Sequence, residues 1–210
     1  MGLCITVGPL SDFLEFDPEG ADCVRDEMII VNGVLQMHGL PRHDEPETLP
    51  KFESRAPLQS FSYSYLHHLR AAYAFAVRDL PLPNNLDVAR RTCPELENEF
   101  KRNRSHLICH SDAEGFYVPI DFEQPLVDPQ SPDRVPGRWI GSTQRLQVEL
   151  LQVAPSLGLP TEPNLSDEAI ERLSRETRDD EPRWIPRKVW VALIEACRLS
   201  LQFRAAIQFA

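Results

Sequence analysis

The segment from residue 106 to residue 122, HLICHSDAEGFYVPIDF, concentrates side chains that could do acid–base or metal chemistry. It contains two histidines, His106 and His110, and three carboxylates, Asp112, Glu114 and Asp121. Histidine titrates near neutral pH, and a neighbouring carboxylate favours its charged form, as a general acid–base pair requires. These five residues are the candidate catalytic set, and a hydrolase or metal-assisted enzyme is one hypothesis for function.

Spacing limits what this set can do with a metal ion. On an extended strand, His106 and His110 lie roughly 13 Å apart, too far to bind one ion directly. A metal would need a further ligand, such as Asp112, Glu114 or a side chain of the HDEPE segment at 43–47. We predict no cofactor, since the chain has no phosphate-binding glycine loop, no G-x-S-x-G and no H-E-x-x-H. The alternative is that these polar groups bond to nearby backbone and shield one face of a sheet.

The same segment predicts a β-hairpin with a polar face. As strands, residues 106–111 and 116–122 would alternate in the face to which their side chains point, and the intervening DAEG places Gly115 where a turn needs a positive φ. With a four-residue loop, His106 lies opposite Asp121; a three-residue loop with a bulge would shift the pairs by one. The core face would then carry Leu107, Cys109, Val118 and Ile120.

Helices are predicted to position this hairpin. Asp17 as N-cap and Pro18 at the first helical position begin a helix that ends near Gly39. Other helices are expected at 62–79 and 94–103, and from Ser142, Ser166 and Pro186 onwards. We predict a single α+β domain over 1–210, in which a small, mostly antiparallel sheet (strand 3–7 and hairpin 106–122) is covered by four to six helices. The C-terminal helical segment, about 142–210, packs on the same body.

The charge balance points to a binding protein. The chain has 32 acidic and 22 basic side chains, a net charge of −10, which disfavours nucleic acid as a partner because phosphate contact needs a basic surface. The long, proline-punctuated segment 41–60 offers Asp44, Glu45, Glu47 and Glu53 for partner binding. Our first hypothesis is therefore a soluble, non-enzymatic protein of immunity or accessory type that docks a basic protein. The alternative is that the charge serves solubility alone.

Cysteine usage and the N-terminal residues bear on the compartment. Five scattered cysteines without a C-x-x-C pair are typical of reduced thiols, and we expect a cytoplasmic protein. The start MGLCIT matches the acylation pattern M-G-x-x-x-[ST], so a membrane partner is expected only if Gly2 is acylated. The competing interpretation makes residues 3–7 a buried strand.

A family resemblance involves the same residues. HSDAEG, followed by FYVPIDF and further on by GRWIGSTQRLQVEL, resembles a pattern of uncharacterised bacterial proteins that carry an H-S-D-x-[DE]-G hairpin and a small-residue-capped helix. The resemblance covers residues 104–152 and depends on His110, Ser111, Asp112, Glu114 and Gly115. It implies a bacterial, cytoplasmic protein and brings no assigned activity.

Overall fold

The chain folds into helices on both sides of a small sheet. The structure, a computed structural model, describes residues 2–58, 61–83, 86, 93–176 and 183–210. The helices in these ranges are α1 (Pro9–Phe16), α2 (Pro18–Met37), α3 (Tyr63–Ala76), α4 (Pro94–Arg102), α5 (His106–Cys109), α6 (Thr143–Val153), α7 (Asp167–Glu176) and α8 (Trp184–Phe203). The strands are β1 (Ile5–Val7), β2 (Gly115–Val118), β3 (Ile140–Ser142) and β4 (Ile207–Phe209).

The sheet has the order β1-β4-β2-β3. β4 pairs antiparallel with both β1 and β2, while β2 pairs parallel with β3. The predicted α+β class, with a small and mostly antiparallel sheet, is therefore confirmed. The strand predicted at 3–7 is present as β1 at Ile5–Val7, with an isolated bridge from Leu3 to Phe61, and Leu3, Ile5 and Val7 are all buried.

Each face of the sheet contributes to a different hydrophobic cluster. Phe116 and Val118 of β2 pack with the buried side of α2, whereas Tyr117 faces the cluster formed by α3, α6 and α8. All four residues of β2 are buried, as expected for a strand covered on both faces. α1 and α2 thus form one layer, and α3, α6 and α8 form the other.

The predicted hairpin 106–122 is wrong in its first arm, where the chain forms the one-turn helix α5. Ser105 Oγ accepts a hydrogen bond from the Ile108 N–H at 3.0 Å, and the Glu149 carboxylate accepts from the N–H groups of His106 (2.8 Å) and Leu107 (2.7 Å). These acceptors satisfy the N–H groups that a helix leaves free in its first turn. β2 consequently pairs with β4 and β3.

The helix boundaries follow the predicted signals closely. Asp17 Oδ1 accepts from the Gly20 N–H at 3.2 Å at the start of α2, and Ser142 Oγ accepts from the Arg145 N–H at 3.3 Å at the start of α6. The sequence analysis did not predict α1, β3 or β4. None of the helices in the described ranges combines the length and apolar composition that crossing a bilayer requires.

Candidate functional site

His106 is a buried structural residue in the folded chain. Its side chain is enclosed between α5 and the start of α6, and the residue is 1% exposed. Nδ1 accepts a hydrogen bond from the Ser142 N–H at 2.9 Å, and Nε2 lies 3.4 Å from the carbonyl oxygen of Glu123. Burial lowers the pKa of His106 to about 4, so the ring is neutral at pH 7. The ring therefore fixes the residue that caps α6.

His110 is also buried, at 2% exposure. Its ring stacks on Tyr117 with centroids 4.0 Å apart, and Nδ1 donates to the carbonyl oxygen of Ser111 at 2.9 Å. Nε2 is buried without a hydrogen-bond partner among the described residues. Burial lowers the pKa of His110 to about 4, because a charge cannot be solvated there.

The three carboxylates of the candidate catalytic set have separate surroundings. Asp112 Oδ2 lies 2.9 Å from His67 Nε2, and Asp121 binds Arg145 through both oxygens, at 2.6 and 3.1 Å. Glu114 is exposed. No group of three or more His, Cys, Asp or Glu residues in the described part of the chain could hold a metal ion. A catalytic role for the set stays a prediction that this geometry does not favour.

A different group of side chains forms a strongly charged surface near the start of the chain. Residues 1–53 contain eleven acidic and three basic side chains, so they carry a net charge of −8 out of the −10 of the whole chain. The exposed carboxylates of this region, which we call the acidic surface, are Asp12, Glu15, Asp17, Glu19, Asp22, Asp26, Asp44, Glu47 and Glu53.

Helix geometry aligns part of the acidic surface. Glu19, Asp22 and Asp26 follow each other on α2 at spacings of three and four residues, which places them on one side of the helix. They lie about 4.5 and 6 Å apart along the axis. The opposite side of α2, with Ala21 and Val24, is buried against the sheet. Packing of the apolar side therefore forces these carboxylates to face solvent in a row.

Contacts join this row to the rest of the acidic surface. Arg25 binds Asp22 at 2.8 Å and Glu47 at 3.2 Å, which ties α2 to the segment that follows it. Asp12, Glu15 and Glu53 line one groove of about 550 Å³ between α1 and residues 49–53.

The charges within that groove also act on one another. Partial burial, and then the nearby charge of Glu15, raise the pKa of Asp12. Carboxylates from α1, α2 and the 44–53 segment are thus held together as one surface.

The structure corrects the assignment of Glu45 to a partner-binding surface. Its side chain is 2% exposed and accepts hydrogen bonds from the Ala206 N–H at 2.8 Å and from His43 Nε2 at 2.5 Å. The backbone of His43 is in turn bonded to the side chain of Asn32 on α2. Glu45 therefore links the 41–53 segment to the start of β4, whereas Asp44, Glu47 and Glu53 do lie on the acidic surface.

This difference gives a stability prediction for two neighbouring glutamates. Glu45→Ala should lower the free energy of unfolding by about 2 to 3 kcal/mol, since it leaves the buried His43 side chain and the Ala206 N–H without an acceptor. Glu47→Ala should change it by less than about 0.5 kcal/mol, because an exposed ion pair contributes little. Urea denaturation at pH 7 measures both values, and equal losses would contradict the assignment of Glu45 as a buried link.

The carboxylates of α1 and α2 were not among the predicted site residues. The predicted catalytic residues lie in 106–122, although the imbalance of charge within the first 53 residues is visible in the sequence. A count of charge by segment, followed by the helical spacing of Glu19, Asp22 and Asp26, would have found the acidic surface.

Comparison with known proteins identifies a family. The model of the family described as "Putative DNA-mimic protein" matches residues 1–209, while no curated protein and no solved structure matches the chain. This finding overturns our expectation about partners, which set nucleic acid aside because the chain is acidic. Acidic charge disfavours contact with DNA, but it is the charge that an imitation of DNA requires. Since the match extends over nearly the whole chain, the protein belongs to this DNA-mimic family.

Proposed function

We propose that the acidic surface occupies the DNA-contacting face of a DNA-binding protein and thereby competes with DNA. The observation that supports this proposal is the location of the charge. Residues 1–53 carry a net charge of −8, whereas residues 54–210 are nearly balanced, with 21 acidic and 19 basic side chains. The match to a DNA-mimic family supports the same proposal.

The carboxylates on α2 form a row that is about two thirds as dense as the phosphates on one DNA strand. A strand of duplex DNA presents one charge per roughly 3.4 Å along the axis. Glu19, Asp22 and Asp26 present one charge per about 5 Å of helix axis. The carboxylates of α1 raise the local density further. Carboxylate oxygens accept hydrogen bonds from Arg and Lys as phosphate oxygens do, so a face built to bind DNA can bind them.

Electrostatics would control such a complex. The cationic face of the partner attracts the acidic surface. Dissolved salt screens this attraction, so binding should weaken as ionic strength rises. Arg25 moderates the charge locally but also holds Asp22 and Glu47 in place. Occupation of a DNA site by this chain would make it an accessory protein that regulates its partner.

A competition experiment tests the proposal. Proteins of the source organism that are retained on double-stranded DNA-cellulose are mixed with a short fluorescent duplex, and the anisotropy is measured as the purified chain is added. We expect the chain to release the duplex at low salt.

Polyglutamate at the same total charge provides the control for non-specific anions. It should release much less duplex, because its charges are not held at fixed spacing. Release that is absent at saturating protein, or no better than with polyglutamate, would overturn the proposed function.

A further inference from the structure

A cavity between α3, α4 and α5 has the properties of a small-molecule site. Its volume is about 360 Å³, and none of the acidic-surface residues lines it. Leu96, Phe100 and Ile108 supply an apolar wall, and Phe100 is 49% exposed in spite of its size. Cavities that bind small molecules typically begin near 300 Å³ and are lined mainly by apolar and aromatic side chains.

Arg70 is a buried cation in the lining of this cavity. The residue is 6% exposed, and its guanidinium donates from Nε to the Leu107 carbonyl at 2.8 Å and from Nη2 to the His110 carbonyl at 2.5 Å. Within the ranges that the structure describes, it forms no ion pair, and its Nη1 makes no hydrogen bond. Arginine stays charged in proteins, and a buried charge favours a pairing anion.

The other charged groups at the cavity are of both signs. Glu97 and Lys101 stand four residues apart on the exposed side of α4, and His67 lies 2.9 Å from Asp112, whose charge also acts on Arg70. Among the described residues, Arg70 therefore has a carboxylate nearby but none in an ion pair with it.

We propose that this cavity binds a small aromatic carboxylate. Its ring lies against Leu96, Phe100 and Ile108, and one carboxylate oxygen accepts a charge-assisted hydrogen bond from Nη1 of Arg70. A single free guanidinium nitrogen suits one oxygen acceptor, and the apolar wall suits a ring. The site is independent of the acidic surface, so the proposed function does not support it or depend on it.

Titration calorimetry with 1-naphthoate on the full chain tests the proposal. We expect a Kd of about 100 µM, and binding at least about 10-fold weaker for the neutral isostere 1-naphthalenemethanol. Leu96→Trp should abolish binding of 1-naphthoate by filling the cavity, and Phe100→Ala should weaken it about 10-fold. Phe16→Ala, which removes a 75% exposed ring elsewhere, is the matched control and should leave the Kd unchanged.

Weaker binding by Phe100→Ala is not expected to result from misfolding, because Phe100 is half exposed and its truncation leaves the core intact. Circular dichroism and thermal unfolding of each variant verify the fold. Equal affinity for the acid and the alcohol, an unchanged Kd in both cavity variants, or no binding of 1-naphthoate would each overturn the proposal. Release of DNA from its partner should proceed unchanged in Phe100→Ala, so the two proposals can fail separately.

Discussion

We expect a chain with Glu19→Gln, Asp22→Asn and Asp26→Asn to need about 30-fold more protein than the wild type to release DNA from its binding protein. Each exposed carboxylate that faces a cation contributes about 0.5 to 1 kcal/mol, so the loss of three amounts to about 2 kcal/mol. The duplex-release experiment measures the concentration for half release. The same variant should also show a shallower dependence of release on salt, because fewer charge contacts remain.

A second triple variant separates the location of charge from its total. Glu123→Gln, Asp133→Asn and Glu171→Gln change three exposed carboxylates outside residues 1–53 and give the same net charge. Measured in about 0.15 M salt, this control should release DNA within about 3-fold of the wild type, since long-range charge alone has a small effect at that ionic strength. Equal losses in the two variants would show that total charge, and not the acidic surface, controls competition.

Acidification from pH 6.5 to pH 4 should lower the free energy of unfolding by several kcal/mol. The pKa values of His106 and His110 are about 4 in the folded chain, whereas an unfolded histidine titrates near 6.5. The stability that the two neutral rings provide is complete above pH 6.5 and is lost as the pH falls to 4. Each shift corresponds to about 3 kcal/mol, because the proton binds the unfolded chain more tightly.

Glu149 partly offsets this loss. Burial raises its pKa to about 7, in spite of hydrogen bonds from Ser105 and the N-terminus of α5. Its contribution to stability is complete below pH 4.5 and is lost as the pH rises through 7, which is worth about 3 kcal/mol in the opposite direction. The net loss on acidification is therefore about 3 kcal/mol, a large part of the stability of an ordinary domain.

Urea denaturation at pH 6.5 and at pH 4 measures this dependence. His110→Phe keeps a ring on Tyr117 but removes one titrating group, so it should make the loss on acidification clearly smaller. Glu149→Gln removes the offsetting group and should make the loss larger. An unchanged dependence in His110→Phe would show that the buried ring does not control acid stability.

Elements with local signals could be predicted from the sequence. The N-cap Asp17, the following Pro18 and the stop at Gly39 define α2 within two residues, because capping depends on neighbours along the chain. The buried stripe of α2, with Val24, Met28, Val31 and Leu35, follows equally from helical spacing.

The conformation of the first arm of the predicted hairpin depends on a residue that is distant in the sequence. HLIC was predicted to form a strand, yet the Glu149 carboxylate accepts hydrogen bonds from the N–H groups of His106 and Leu107 and fixes a turn of helix there. A periodic pattern four residues long cannot distinguish these outcomes.

Glu45 illustrates the same limit within the candidate surface. It differs from Glu47 through its hydrogen bonds with the His43 side chain and with the backbone N–H of Ala206, which the fold brings beside it from 161 residues away.

The position of α1 and α2 as a separate layer affects how the whole molecule rotates as it approaches a charged partner. Seven carboxylates and one arginine lie between Asp12 and Glu27 on one side of the sheet, while the chain beyond residue 53 is nearly neutral. Such a separation gives the molecule a permanent electric dipole. In the field of a cationic protein it experiences a torque and rotates before contact, so a larger share of collisions begins in a productive orientation.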